Sequence, residues 1–284
     1  MLDAPRLTVW RSTVEVDGHP ASYLTAGRSG APPVLMLHGT YWSRVWLPVL
    51  DHLAGAGLRP IAVDLPGSGR SGGELVADAA TVPALADWAT RFVSALGLSG
   101  PIALAGHDIG GAIAQHLLAH DRLHVPRFAL VNSVLYDSWP APHVAQFRDG
   151  GADEAVLIGR RQALERVLAG VATESLIAEY AEPWTDERVR RSWMALAGAA
   201  DSRYTLELVP ALQRSVTPKL LIWGEDDLHE KVEYAERFAA EVPNTALLRI
   251  SHADHIPTEN NPDEVGRALA AFFAGPPRSP SPDL

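Results

Sequence analysis

The sequence predicts an α/β protein with a mostly parallel, doubly wound sheet and a block of helices inserted late in the chain. Three observations carry that prediction. Short continuous apolar runs recur at residues 34–37, 60–63, 102–105, 128–131 and 220–223. Runs without polar alternation belong to strands covered on both faces. Helical stretches separate most of these runs, and regular strand–helix alternation is the pattern of a doubly wound sheet. The alternation then stops after Val131, and residues 136–215 read as helical without clear strands.

The elements follow in order. Residues 14–18 and 21–25 form an early hairpin, with His19-Pro20 near its turn. Helices are expected at about 45–56, 82–96, 109–120, 234–242 and 263–273, and a final short strand at 247–250. The insertion holds Trp139, Trp184 and Trp193 and returns to a strand at Pro218. It reads as a helical cap over the carboxyl edge of the sheet, where the pockets of open α/β sheets lie. The expected division is a core at 1–134 and 216–275, a cap at 135–215, and a tail at 276–284. The tail is too rich in Pro and Ser to pack and is expected to be disordered. There is no internal repeat.

Composition narrows the function. The chain has 284 residues, is 47% hydrophobic and contains 8 Trp, enough to bury a large core. A net charge of −10 argues against nucleic acid, whose phosphates require a basic surface. The absence of cysteine excludes disulfides, thiol catalysis and cysteine metal sites. Residues 1–10 show no basic stretch leading into an apolar one, so no secretory signal is expected. No apolar run approaches the roughly 20 residues of a membrane span. The expectation is a soluble, cytoplasmic protein that acts on a small molecule. Lys219 and Lys231 are its only lysines, a compositional bias.

The most informative segment is Gly106-His107-Asp108-Ile109-Gly110-Gly111. It links an apolar strand to a helix through a sharp turn, and the small residues at 106 and 110 force residue 108 outward. This is the shape of a nucleophile elbow carrying Asp where Ser is more usual. Four further motifs keep it company. His38-Gly39-Thr40 follows the third strand, and the loop from Asp64 through Gly67 and Gly69 to Ser71 follows the fourth. Gly224-Glu225-Asp226-Asp227 follows the strand after the insertion, and Asp254-His255-Ile256-Pro257 follows the last strand. In this order and spacing the set resembles the α/β-hydrolase superfamily over roughly residues 14–274. The Asp elbow resembles the epoxide hydrolase and dehalogenase branch within it.

The resemblance implies an α/β-hydrolase fold and assigns roles: Asp108 as nucleophile, His255 as base and Asp227 as the acid orienting it. It also implies that the backbone N–H groups of Thr40 and Ile109 form the oxyanion hole. Glu225 and Asp226 compete with Asp227, Asp137 is an outsider for the same role, and His252 competes with His255. Asp254 stands where the family usually has Gly. The register of Pro257, Glu259 and Pro262 favours His255. The 64–71 loop reads as structural support, because the helix-opening pattern of a phosphate loop is missing.

The chemistry favours those residue types. A carboxylate with a reference pKa of about 4 is ionised at neutral pH and needs no base before it attacks. Attack on a carbonyl would give a reactive anhydride, whereas attack on a saturated carbon gives an ordinary ester. An epoxide or an alkyl halide therefore suits it. His255 would then activate a water against the ester, with Asp227 fixing its tautomer. Epoxide opening needs a proton donor for the alkoxide, and the cap offers Tyr204, preferred for its place near the return from the cap, then Tyr136 and Tyr180. Halide departure needs N–H donors. The dehalogenase families often place Trp after the nucleophile or Asn after the His-Gly pair, but Ile109 and Thr40 stand there. Trp139, Trp184 or Trp193 would have to replace them. The leading expectation is epoxide hydrolysis in a small or medium apolar compound, with dehalogenation of an alkyl halide or haloacid second. Ester or lactone hydrolysis, a non-hydrolytic reaction and ligand binding follow. No metal or organic cofactor is implied.

Overall fold

The computed structural model describes residues 8–141, 144, 153–168 and 170–275, so the expected tail at 276–284 lies outside the described residues. Strands β1 (Trp10–Val16) and β2 (His19–Thr25) form the early hairpin. Its turn is Asp17-Gly18, not His19-Pro20, which opens β2. Asp17 and Gly18 have φ of 54° and 78°, the paired left-handed geometry that matches strand twist in a two-residue turn. Then follow β3 (Pro33–Leu37), β4 (Arg59–Val63), β5 (Ala103–Asp108), β6 (Phe128–Ser133), β7 (Lys219–Gly224) and β8 (Thr245–Ile250).

Among the described residues these strands form one sheet in the order β1-β2-β4-β3-β5-β6-β7-β8. The pairs β1/β2 and β2/β4 are antiparallel and all others are parallel. The chain runs from β3 outward to β4 and then back across to β5 on the opposite side. The carboxyl ends of β3 and β5 therefore flank the switch point at which open α/β sheets form their crevice.

Alternate strand residues feed two cores, one on each face. Leu35, Leu37, Leu104 and Leu130 face helices α2 (Val82–Ala95) and α3 (Ile109–Ala119). Val34, Met36, Ala105 and Val131 share the other core with Leu53 of α1 (Leu50–Gly55). The helix expected over 45–56 is split: Ser43–Val49 is a 3-10 turn containing Pro48, and α1 starts after it. Proline lacks the N–H that a continuous α-helix needs.

Between β6 and β7 the chain forms α4 (Asp153–Val167), α5 (Glu174–Ala181), α6 (Glu187–Gly198), α7 (Arg203–Leu206) and α8 (Val209–Arg214). Helix α4 packs on both α5 and α6, whereas α7 and α8 lean on α3. The last elements are α9 (Val232–Glu241), α10 (Pro257–Asn260) and α11 (Pro262–Ala274). Among the described residues no helix is long and apolar enough to cross a membrane.

Candidate active site

Asp108 ends β5 and caps α3 with φ 53° and ψ −128°. A β-carbon-bearing residue pays for that backbone geometry, and such strain concentrates at functional sites. The turn is held from several sides. The Val134 N–H and the Ser133 hydroxyl donate to the Asp108 carbonyl at 3.1 and 3.2 Å. Gly110 lies so close to the Leu37 carbonyl that a side chain there would collide with backbone.

The Asp108 side chain is 5% exposed. Its Oδ2 accepts the Thr40 N–H at 2.7 Å and lies 3.8 Å from His255 Nε2, while no hydrogen bond from the described residues reaches Oδ1. Gly39 makes the close approach possible, because a Cβ there would run into the Asp108 carboxylate. Ile109 is the first residue of α3, and the first N–H groups of a helix have no intrahelical partner. Burial pushes the Asp108 carboxyl up, but the His255 ring and the Thr40 N–H outweigh it and hold it well below the usual carboxylate range.

His255 Nδ1 donates to Asp227 Oδ2 at 2.9 Å. Asp227 is held on every side. Oδ2 also accepts from Asn132 Nδ2 at 2.8 Å, and Oδ1 accepts the N–H groups of His229 and Glu230 at 2.8 and 3.1 Å. Asn132 Oδ1 in turn accepts the Gly224 N–H at 2.8 Å, which ties β6 to β7 beneath the acid. Burial disfavours the charged His255, yet Asp227 and Asp108 overcome this and raise its pKa well above the ordinary value. Behind the ring, His107 Nε2 donates to the His255 carbonyl at 2.8 Å. Burial and the neighbouring His255 charge lower the His107 pKa to about 4, so it stays neutral.

The competing residues lie elsewhere. Glu225 pairs with Arg249 at 2.6 Å on the surface, Asp137 is exposed, and His252 occupies an exposed turn with φ 60°. The 64–71 loop is a brace: Asp64 accepts the N–H groups of Ser43 and Arg70, and His38 Nε2 accepts that of Leu65.

Asp108, Thr40 and His255 open onto a cavity of about 350 Å³ that also reaches Trp139, His229, Glu230 and two arginines of α4, Arg160 and Arg166. Pockets of this size take small ligands. The other predicted lining residues lie outside it. Tyr136 packs on Phe238 and its hydroxyl donates to Glu241 at 2.9 Å. The Tyr180 hydroxyl donates to Glu259 at 2.8 Å beneath the Arg44 guanidinium. Tyr204 sits on α7, which packs against α3 and does not roof the cavity. Trp184 meets Trp193 edge-on and lines a separate void of about 20 Å³ on another side of Thr40.

The sequence pattern of the alpha/beta hydrolase family matches residues 34–268. The chain belongs to that family. A haloalkane dehalogenase of Bradyrhizobium diazoefficiens is 30% identical over 91% of this hydrolase and 92% of the relative. An (E)-2-((N-methylformamido)methylene)succinate hydrolase of Acinetobacter baylyi is 25% identical over 86% and 91%. The crystal structure of a haloalkane dehalogenase from Bradyrhizobium elkani superposes with a TM-score of 0.82 at 26% identity, covering 94% of this hydrolase and 98% of that chain. These similarities put the hydrolase on a dehalogenase-like branch.

Sequence reasoning missed Tyr41, Asn132, Arg160, Arg166, His229 and Glu230 of this hydrolase. Tyr41 was within reach of it, since it directly follows Thr40 on the same loop. Its ring meets those of Tyr180 and His255 edge-on and lines the cavity. Arg160 stands beside Arg161 in sequence, and nothing in the pattern tells the buried one from the exposed one. Glu230 is 2% exposed, and burial pushes its carboxyl up to about 8, against a hydrogen bond with Ser138.

Proposed function

We propose that this hydrolase is a dehalogenase that works through a covalent ester on Asp108. The observation that carries the reading is the ionised Asp108 carboxylate at the cavity floor, with Oδ1 unengaged among the described residues and His255 Nε2 3.8 Å from Oδ2. Oδ1 attacks a carbon bearing a halogen, the carbon–halogen bond breaks, and the halide leaves with the bonding pair. Asp108 becomes a neutral ester. Neutral His255 then takes a proton from water, and the hydroxide attacks the Asp108 carbonyl carbon. Negative charge collects on Oδ2, where the Thr40 N–H already lies at 2.7 Å and the Ile109 N–H joins it. One such donor is worth on the order of 3 kcal/mol in the transition state. Collapse releases an alcohol, restores Asp108 and returns the proton to solvent. Asp227 holds the ring tautomer and stabilises the imidazolium.

The dehalogenase relatives favour halide as leaving group. Tyr41 and Trp139 line the cavity and are the candidate O–H and N–H donors to it. Epoxide opening is the second reading. Glu230 favours it, as a carboxylic acid in the cavity that stays protonated at neutral pH and can donate to an alkoxide.

The test is His255→Gln incubated separately with haloalkanes, haloacids and epoxides, followed by intact and peptide mass. The expected result is an alkyl adduct on the Asp108 peptide with stoichiometric halide release. An adduct from epoxides alone would select the second reading. No adduct from any class, in a folded variant whose wild type turns the compound over, would remove the ester mechanism.

A further inference from the structure

Arg160 is a buried charge with no acid partner among the described residues. Its neighbour Arg161 points to solvent and pairs with Glu165 and Glu174 at 3.0 and 3.1 Å. Arg160 is 6% exposed, its Nε has no hydrogen-bond partner, and no described carboxylate comes within ion-pair distance. A buried guanidinium is retained only against a strong cost unless something answers its charge and its donors. The rings of Trp193 and Trp184, 4.5 and 5.8 Å from its central carbon, attract the cation. They offer no oxygen to its N–H groups. Arg166 lines the same cavity with its Nε likewise unpartnered, and one terminal nitrogen touches His229.

Asp108 does not use up this charge. Its Oδ2 is already met by the Thr40 N–H and faces His255. Of the three cations that line or adjoin the cavity, His255 faces Asp108 and Asp227 and Arg166 lies in the field of Asp254, whereas Arg160 has no acid within ion-pair distance among the described residues. The fork of N–H donors on a guanidinium matches a two-oxygen anion, which it can hold through paired hydrogen bonds. A spherical halide meets that fork at a single centre, whereas a carboxylate gives each N–H its own oxygen.

We propose that Arg160, assisted by Arg166, is a carboxylate-binding subsite, so that the substrate is a small halogenated carboxylic acid with its acid group at α4 and its halogen-bearing carbon at Asp108. The substrate assignment rests on the Asp108 reading. The subsite does not, and its test is binding without turnover. Butyrate, butyramide and sodium chloride are titrated calorimetrically into the wild type, Arg160→Gln and Arg160→Lys. Butyrate is expected to bind the wild type at least tenfold more tightly than its neutral isostere. Arg160→Gln is expected to erase most of that difference, and Arg160→Lys to keep part of it, since the charge remains and the fork is lost. Thermal melting separates this from a packing role: relieving an unanswered buried charge leaves Arg160→Gln no less stable than the wild type. Equal binding of butyrate and butyramide, or unchanged butyrate affinity in Arg160→Gln, overturns the subsite. Chloride binding more tightly than butyrate, with the same dependence on Arg160, overturns it in favour of a halide site. If butyrate behaves as expected but His255→Gln forms no Asp108 adduct with a haloacid, the subsite stands and the ester mechanism fails.

Discussion

Asp227 and Arg160 are both buried charges beside one cavity, and the protein treats them in opposite ways. Asp227 receives hydrogen bonds from the His255 ring, the Asn132 amide and two backbone N–H groups. Arg160 receives ring faces and no acid from the described residues. The carboxylate hangs from the loop after β7 and is braced by β6, at the rigid carboxyl edge of the sheet. The guanidinium hangs from α4, in the helical segment between β6 and β7. The difference separates a charge that the fold completes by itself from one that the proposed carboxylate would complete.

The sharpest way to break the comparison is Asp227→Asn. On the proposed mechanism the amide can stabilise neither the right tautomer nor the imidazolium. Turnover is expected to fall by about 10⁴-fold, measured as halide release. A loss under tenfold would make Asp227 a structural anchor only. Asn132→Ala probes the brace beneath it. That change leaves an acid oxygen and the Gly224 N–H short of a partner, and should cost about 1–3 kcal/mol in urea unfolding.

The charge network also predicts a pH effect with a definite sign. In the resting protein Asp227 and Asp108 hold the His255 pKa well above 6.5. On the proposed mechanism esterification erases the Asp108 charge, so the ring releases its proton more readily in the intermediate. Ester hydrolysis needs the neutral ring and therefore gains as pH rises. The rising limb of kcat should lie below the pKa of free His255 seen by NMR titration, by on the order of one unit. Coincidence of the two would mean that Asp108 keeps its charge through the cycle. The smallest effect belongs to the other member of the pair. Arg160→Met should raise stability by about 1 kcal/mol, because the charge it removes lacks a described acid partner. A clear drop in melting temperature would show that the protein supplies that partner after all.

The same contrast explains what was legible in the sequence. Buried parallel strands must be apolar on both faces, so the runs at 34–37, 102–105 and 128–131 announced β3, β5 and β6. Asp108, Asp227 and His255 sit beside glycines, prolines or strand ends whose spacing is visible along the chain, and the structure brings them together. The hairpin turn was misplaced because Asp17-Gly18 and His19-Pro20 are both turn-forming pairs, and only the left-handed backbone separates them. The tyrosines were the least legible. Tyr136, Tyr180 and Tyr204 looked available in a helical insertion, yet Glu241, Glu259 and the α3 face claim the regions around them. Helical periodicity says which residues share a face, not what that face meets.

The two oxygens of Asp108 are not equivalent, and isotopes can read the distinction. Thr40 engages Oδ2, which leaves Oδ1 for the alkyl carbon. On the proposed mechanism, a single turnover in ¹⁸O-labelled water releases the alcohol with an oxygen that came from the protein, and the heavy atom stays behind in residue 108. Only from the second cycle does label pass to product. An enzyme working this way keeps a one-cycle record of its solvent.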